Sequence, residues 1–541
     1  MAAIFTAVYF GMHDARGGYD MTDTSERQGA GAERRGRARR TSREGQGASH
    51  QAPFRQPRRP FKPVEIVGAE AIEAIHEAAL TILEEIGMDF LDADARQLAK
   101  SAGAQGEVGT NRVRFDRGLI QEKIKTAPAE FTLHARNPAH DLSFGGDNVI
   151  FAQVASAPNC SDMDKGRRPG SHEDFRNLVK LAQSFNIIHM TSGYPVEPVD
   201  LHASIRHLDC LGDLAKLTDK AFHCYSLGRQ RNRDALEIAR LARGISAEQL
   251  DKEPSLISVI NSSSPLRLDS PMLQGIMEMS ARGQVIIMTP FTLAGAMAPV
   301  TVAGALAQQN AEALCGIAFT QIVKPGAPVV YGGFTSNVDM KSGAPAFGTP
   351  EYMKSAMIGG QLARRYRLPY RTSNTCAANT VDAQAAYESV FSLWGAVMGG
   401  GNFILHSAGW MEGGLTASFE KTIVDVDLLQ MIANFLEPLE VSQETLALDA
   451  MREVGPGGHY FGAAHTQARF KTAFYAPLIS DWRNFESWRE AGSPTAMEKA
   501  NRLWKETLAR YERPAMDQAA EAALDEFVAR RKSEGGVKTD F

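Results

Sequence analysis

Between residues 148 and 436, short apolar runs alternate with helical patterns. Eight runs rich in apolar and β-branched residues begin at Val149, Ile187, Ala221, Leu256, Val285, Pro328, Pro369 and Asn402. Continuous apolar runs are typical of parallel strands that are buried on both faces. Because strand–helix–strand repeats form right-handed crossovers, eight such units predict an α/β protein with a (β/α)8 TIM barrel. A doubly wound open sheet is the alternative, although its usual glycine fingerprint after the first strand is missing.

The flanking segments have different patterns. Residues 1–62 are predicted to be a disordered tail, because residues 21–62 are rich in Arg, Gly and Pro with few apolar positions and the first twenty residues carry only a short apolar patch. Residues 63–147 begin with apolar positions at helical spacing and predict an N-terminal helical cap. Residues 148–436 form the predicted barrel. Residues 437–541, which include an aromatic stretch, predict a C-terminal helical extension packed on the barrel.

Two segments invite other interpretations. Residues 301–323 are apolar enough to suggest a membrane span, but polar residues interrupt the run, so a buried barrel helix is favoured. The arginine-rich run Glu33–Arg40 is interpreted as a solvated tail in preference to an RNA-binding arm. The first twenty residues lack a basic leader and a long apolar core, so no secretion signal is predicted, and translation from Met21 is an alternative to Met1.

Composition excludes several classes of partner. The chain has 541 residues, 44% of them hydrophobic, and a net charge of −5, so its surface does not favour nucleic acid or a membrane. Five widely spaced cysteines predict a reducing cytoplasm. No CxxC or HExxH pattern occurs, and the spacing of His459 and His465 favours structural histidines, so no directly bound metal is expected.

The expected ends of the barrel strands carry aromatic, amide and imidazole groups but few acids. A GxSxG elbow, a strand-end lysine and a phosphate-binding glycine loop are all missing, which weakens hydrolase, Schiff-base and nucleotide-binding interpretations. No catalytic residue is assigned with certainty. The composition of this mouth predicts a site for a small ligand and a large cofactor, with glycine loops that permit close backbone approach.

Three motifs resemble the trimethylamine methyltransferase family. They are GTPEYMKSAMIGGQLARRYRLPYR, NTVDAQAAYES and HSAGWMEGGLTASFEK, and the resemblance extends from about Phe61 to the C-terminus. Archetypal members carry pyrrolysine, at a position that aligns with the loop Asn374–Val381. That loop holds ordinary residues here, so the resemblance implies the non-pyrrolysine branch.

This branch implies an activity. Its characterised members transfer a methyl group from a quaternary amine such as glycine betaine to the Co(I) corrinoid (cobalamin) of a partner protein. A tertiary methylamine donor, and assembly into a homo-oligomer, are also compatible with the resemblance. A non-catalytic barrel that binds a corrinoid or small ligand is a rival interpretation. Another TIM-barrel enzyme, such as a lyase, is the second rival, although it would need a base or metal that the sequence does not offer.

The resemblance also suggests site residues. An aromatic cage around trimethylammonium gains about 0.5 to 2 kcal/mol per good cation–π contact. The cage candidates are Tyr194, Tyr225, Phe291, Tyr331, Phe334 and Trp410, although core packing is the common role of each residue type. His406 and Asn261 are expected to contact the substrate carboxylate or the corrinoid. Candidates for the corrinoid side are Asn374, Thr375, Glu412 and Gly413.

Overall fold

The structure is a computed structural model that describes residues 51–225 and 227–538. The predictions for the arginine-rich run and the alternative start at Met21 lie outside these residues. Residues 51–62, which the sequence analysis assigned to the disordered tail, run along the barrel base. There the backbone N–H of Arg59 donates to the carbonyl of Asp147, and the N–H of Val149 donates to the carbonyl of Pro57, each at 2.9 Å.

Eight parallel strands form a ring in chain order, which confirms the predicted (β/α)8 class. They are β1 Ile150–Gln153, β2 Met190–Thr191, β3 Ala221–Phe222, β4 Ile257–Ile260, β5 Val285–Met288, β6 Val329–Gly332, β7 Tyr370–Ser373 and β8 Phe403–Ala408. A single parallel bridge between His223 and Ile257 closes the ring between β3 and β4. The closing hydrogen bond runs from the N–H of Cys224 to the carbonyl of Ile257 at 3.0 Å.

A helix follows each strand along the outside of the barrel. The helices are α1 His172–Ser184, α2 Arg206–Leu217, α3 Arg229–Arg243, α4 Ser270–Ala281, α5 Val302–Val323, α6 Pro350–Tyr366, α7 Ala383–Met398 and α8 Phe419–Phe435. Polar side chains cap several N-termini; for example, the hydroxyl of Ser171 accepts from the N–H of Asp174. The helix predicted at residues 301–323 is α5, a buried barrel helix. None of the described helices has the length and apolar character needed to cross a membrane.

Further elements surround this frame. Before the barrel lie the helices Ala69–Thr81, Ala93–Ser101 and Arg117–Ile124, a π-helical turn Ile82–Ile86, and the strands Met88–Phe90, Gln105–Gly106, Arg112–Arg114, Phe131–Leu133 and Leu142–Phe144. After the barrel come the helices Gln443–Leu446, Leu448–Val454, Ala464–Arg469, Phe485–Glu490, Ala496–Ala509 and Gln518–Ser533. Short ladders in the loops at the mouth are Asn159–Asp162 with Gly166–Pro169, Trp410–Met411 with Thr416–Ser418, and Leu293–Ala294 with Ser336–Val338 and Pro345–Ala346.

The base of the barrel is closed by an apolar plug. Leu133, Leu142 and Phe144 of the hairpin before β1 cluster with inward-facing strand residues such as Ile287 and Phe403. Burial of this apolar surface stabilises the fold and fills the lower interior with apolar side chains. The interior is therefore available for chemistry only at the carboxyl ends of the strands.

His189 joins the N-terminal segment to the barrel base as a neutral imidazole. The N–H of Phe151 donates to its Nδ1 at 2.8 Å, so the proton lies on Nε2, which donates to the carbonyl of Arg55 at 3.1 Å. Burial, with a smaller contribution from the nearby Lys220, lowers the pKa of His189 to about 3. In the unfolded chain the imidazole takes up a second proton below about pH 6.5, whereas in the folded protein it stays neutral until about pH 3. The contribution of the neutral His189 to folding stability is therefore complete above about pH 6.5 and is lost as pH falls towards 3.

We expect the stability difference between the wild type and His189→Gln to shrink by roughly 2 kcal/mol between pH 7.5 and pH 5. Urea unfolding at both pH values measures it, with the exposed His459→Gln as the control. A difference that does not change with pH would contradict a neutral, low-pKa His189.

Candidate active site at the mouth of the barrel

Arg371 lies in β7 with its guanidinium inside the barrel. The neighbouring Tyr370 points outward, because its hydroxyl donates to the carbonyl of Ala356 in α6 at 2.8 Å, and strand side chains alternate between faces. Arg371 is 2% exposed, and its Cζ lies 5.0 Å from the ring centre of Phe334. Burial lowers the pKa of Arg371 to about 10, so the guanidinium remains charged at neutral pH.

Arg371 has no carboxylate partner among the residues that the structure describes. The one hydrogen bond of its guanidinium with the described residues is a long contact of 3.5 Å from Nη1 to the carbonyl of Gly333, and Nε has no partner there. A buried charge without a counter-ion is costly, since the desolvation penalty is not offset by an ion pair. This guanidinium is therefore suited to receive an anionic group from a ligand.

Two histidines near Arg371 are neutral. The N–H of Val259 donates to Nε2 of His223 at 3.1 Å, so Nδ1 carries the proton and donates to the carbonyl of Ser192 at 3.1 Å. Burial lowers the pKa of His223 to about 4, and it lowers that of His406 well below the ordinary value, with further contributions from Arg371. The cationic guanidinium is thus surrounded by groups that do not add positive charge.

His406 occupies an unusual place in β8. Its φ of 57° is left-handed, and the register of β8 against β1 shifts between Ile404 and Ala408. Such a conformation costs a non-glycine residue roughly 1 to 3 kcal/mol, so the surrounding packing must hold it. Its Nδ1 lies 3.2 Å from the hydroxyl of Ser373, and its ring stacks on Trp410 with centroids 5.3 Å apart. The bend thus joins the imidazole, a hydroxyl and an indole.

Aromatic rings continue from this pair into one cluster. Phe334 contacts Phe291 at 5.2 Å, Phe347 at 5.5 Å and His406 at 5.9 Å between centroids. Trp410 packs edge-on against Phe347 at 5.1 Å. We call Phe291, Phe334, Phe347, His406 and Trp410 the aromatic cluster. Since Phe334 also covers the guanidinium of Arg371, the cluster and the buried cation form one contiguous site.

The structure therefore groups four of the predicted residues, Phe291, Phe334, His406 and Trp410. Tyr331 does not join them. It lies on the outer face of β6, opposite to the inward Val330, and its hydroxyl donates to the amide oxygen of Asn310 in α5 at 3.0 Å. Its place is in the wall between the strands and helices.

Tyr194 and Tyr225 form a second aromatic group at the ends of β2 and β3. Their ring centroids are 4.7 Å apart, and Tyr225 lies 5.1 Å from His223. Both line a cavity of about 240 Å³ that Arg206 and other residues of α2 and α3 complete. This group is linked to the interior through His223, on the β3 side of the ring.

Asn261 follows β4 and is exposed. Because alternate strand residues share a face, it lies on the same face as the inward Ile257. It forms no hydrogen bond with the described part of the protein, so its amide is available to the open mouth.

The four residues predicted on the corrinoid side differ in their surroundings. Asn374 donates from Nδ2 to the carbonyl of Ser407 at 3.2 Å, while its buried Oδ1 has no partner among the described residues. The hydroxyl of Thr375 is directed at Ser392 of α7, 2.9 Å away. Glu412 pairs with Arg167 at 2.9 Å. Gly413 has a φ of 63°, a conformation in which glycine is unstrained.

Buried ionic groups of α7 and α8 hold the loops that follow β7 and β8. The ammonium of Lys421 in α8 pairs with Asp425 and donates to the hydroxyl of Ser389 in α7 at 2.7 Å. Asp425 also accepts from the backbone N–H of Gly409 at 2.9 Å. In the loop after β7, Glu388 accepts from the N–H groups of residues 377 and 378. These contacts fix the backbone on both sides of the aromatic cluster.

Among residues 51–225 and 227–538, no group of three or more His, Cys, Asp or Glu side chains is arranged to hold a metal ion. The site instead combines a cation, neutral polar groups and aromatic faces. This set of groups is suited to a small anionic or zwitterionic ligand.

Three residues of the site were not assigned from the sequence: Arg371, Phe347 and His223. A usable signal for Arg371 was a charged residue in the middle of PYRTSN, a run predicted to be buried on both faces. Phe347 lies in the connection between β6 and α6, and no feature of the sequence there distinguishes it as a site residue.

Comparisons with known proteins support a common ancestry. The family model described as trimethylamine methyltransferase (MTTB) matches residues 33–536. A glycine betaine methyltransferase of Desulfitobacterium hafniense (strain Y51) is 36% identical over 472 residues, which cover 87% of this chain and 98% of that protein. The trimethylamine methyltransferase MttB of D. hafniense (strain DSM 10664 / DCB-2) is 27% identical over 472 residues, 86% of this chain and 94% of that protein.

Solved structures that resemble the chain include the Methanosarcina barkeri monomethylamine methyltransferase MtmB. The likeness has a TM-score of 0.48 and 11% sequence identity, and it covers 85% of this chain and 92% of that chain.

The unpaired charge of Arg371 can be tested by stability alone. We expect Arg371→Met to raise the free energy of unfolding by about 1 kcal/mol or more, because it removes a buried charge that has no ion pair. The matched control is Arg59→Met, since Arg59 is also buried but pairs with Asp147. Urea unfolding at pH 7.5 should show destabilisation only for Arg59→Met. Equal destabilisation of both variants would contradict an unpaired Arg371.

Proposed function

Because the chain belongs to the trimethylamine methyltransferase family, we propose that it transfers a methyl group from a carboxylate-bearing quaternary amine, such as a betaine, to the Co(I) corrinoid of a partner protein. One observation carries this proposal: a buried, unpaired guanidinium lies directly beside an aromatic cluster. The similarity to a protein named glycine betaine methyltransferase supports the same class of donor.

A betaine has a fixed positive charge and a carboxylate separated by a short linker, and the site offers a complementary pair. Arg371 would bind the carboxylate by charge-assisted hydrogen bonds. The faces of Trp410, Phe334 and Phe347 would surround the trimethylammonium, at about 0.5 to 2 kcal/mol per good contact. His406, neutral at physiological pH, would donate one hydrogen bond to the ligand while Ser373 holds its Nδ1.

The chemistry suits a site without a strong acid or base. When a quaternary ammonium loses a methyl group, the electron pair of the broken carbon–nitrogen bond stays on nitrogen, and the tertiary amine leaves neutral. The Co(I) of the corrinoid would supply the electron pair for the new bond to the methyl carbon. The protein's task is to hold the donor in line and to exclude water, which can supply much of the barrier reduction.

The rim of the mouth fits a macromolecular partner. Exposed apolar side chains surround it on the loops that follow five different strands: Met163, Val199, Val300, Met340 and Leu415. Glycines with positive φ at 413 and 414 lie beside the aromatic cluster, where a Cβ would meet Phe347 and Trp410, and the unpaired Oδ1 of Asn374 offers an acceptor. These groups would receive the corrinoid. The five cysteines are free and buried, which supports a reducing cytoplasm as the compartment.

The most direct test of the proposed activity uses purified protein and free cob(I)alamin. We expect methylcobalamin to form from glycine betaine or another carboxylate-bearing quaternary amine, and more slowly from choline, which lacks the carboxylate. Absorbance spectroscopy follows the methylated product. If no betaine, carnitine or choline gave methylcobalamin while a known corrinoid methyltransferase did, the proposed function would fail.

Two variants test the assignment of roles. Arg371→Gln should raise KM for a betaine about tenfold or more, since a lost hydrogen bond to a charged group costs about 1.5 to 3 kcal/mol. It should leave the low rate with choline unchanged. His406→Ala should lower the rate about tenfold. Arg114→Gln, which alters an arginine of the N-terminal cap that pairs with Glu107, is the control for Arg371→Gln. A wild-type KM in Arg371→Gln would remove the guanidinium from the donor site, and an unchanged rate in His406→Ala would do the same for the imidazole.

A further inference from the structure

The outer face of α7 lacks the charges that a solvent-facing barrel helix normally carries. Its exposed side chains include Tyr387, Val390, Phe391 and Trp394, at helical spacing along one stripe. The one charged residue of α7, Glu388, points inward and holds the preceding loop. A helix that is apolar towards solvent is typical of a surface that another protein covers.

The stripe continues onto the end of α8. Phe435 lies 5.2 Å from Trp394 between ring centroids, and Met431 is also exposed. We call the exposed side chains of α7 together with Met431 and Phe435 the apolar face. It extends towards the base of the barrel, because the N–H of Val64 in the basal segment donates to the carbonyl of Met398 at the end of α7.

The chain that leaves α8 is unusual as well. Residues 438–474, which we call the arm, contain short helices but bury only Ala450 and Ala463. Among the described residues, every hydrogen bond and ion pair of the arm has both partners inside the arm, such as Arg469 with Glu444. The arm carries large exposed apolar side chains, among them Leu439, Val441, Phe461, Phe470 and Phe474.

An isolated segment of this kind does not offset the conformational entropy that its own ordering costs. It therefore needs a surface against which to bury its apolar side chains. The described part of its own chain does not supply such a surface, whereas the apolar face is an exposed apolar surface without a partner in the described residues.

We propose that the arm packs against the apolar face of a second copy of this chain, and that the exchange is reciprocal in a twofold assembly. Both halves of the contact belong to one sequence, so a twofold axis gives each arm a face and each face an arm. The lack of exposed charge on α7 is typical of the apolar core of homodimer interfaces.

A corrinoid-binding partner fits this surface less well. Under the proposed function, such a partner must reach the mouth at the carboxyl ends of the strands, whereas the apolar face extends along the side to the closed base. A second copy is therefore the occupant to which the proposal commits.

Sedimentation velocity of the full chain at micromolar concentration tests the proposal without any activity measurement. We expect a mass of at least twice 58.8 kDa. Trp394→Glu on the face and Phe461→Glu on the arm should each reduce it to the monomer mass. Val108→Glu, which alters an exposed apolar residue in the N-terminal cap, should keep the assembly. Circular dichroism and thermal unfolding verify that each variant folds.

A monomeric wild type would overturn the proposal and leave the face to residues 1–50 or to a different protein. Assemblies that survive both Trp394→Glu and Phe461→Glu would also overturn it. Loss of the assembly in Trp394→Glu alone would overturn the reciprocal exchange of arms. Because no outcome depends on methyl transfer, failure here is distinguishable from failure of the proposed function.

Discussion

The unpaired charge of Arg371 sets the character of the whole mouth. A guanidinium buried in β7 requires surroundings that tolerate it, and the structure supplies neutral imidazoles and the face of an aromatic ring in place of a carboxylate. Any acid close to Arg371 would form an ion pair and leave no place for a ligand's anionic group. The absence of such an acid from the described residues is thus informative, because it keeps an unfavourable charge available for binding.

The remaining structure supports this arrangement. The hairpin plug closes the base, so the polar part of the interior opens at one end. His223 bridges β2 and β4 at the place where the strand ring is closed by one bridge, and its neutral tautomer is required for both contacts. Lys421 and Asp425 of α8 pair with each other and bind Ser389 of α7 and the backbone of Gly409, which precedes Trp410. Rigid support of this kind would hold a bound ligand in a fixed position.

The sequence was sufficient for the frame and for part of the site. Continuous apolar runs identified all eight strands, because burial on both faces leaves a plain pattern. Position at a strand end predicted that His406, Phe334 and Trp410 lie at the mouth, where the structure groups them, but it did not distinguish them from Tyr331, since a shift of one residue in a strand reverses the direction of the side chain. Arg371 was not predicted as a site residue, because its proposed role depends on the absence of a nearby carboxylate. That absence is a property of the folded protein, as is the exposure of the apolar face on α7.

A crystal structure of the protein with glycine betaine would test the central claim most directly. The account predicts the carboxylate within hydrogen-bond distance of the Arg371 guanidinium and the trimethylammonium against Trp410, Phe334 and Phe347. A carboxylate bound away from Arg371, or a ligand seated outside the barrel interior, would contradict it.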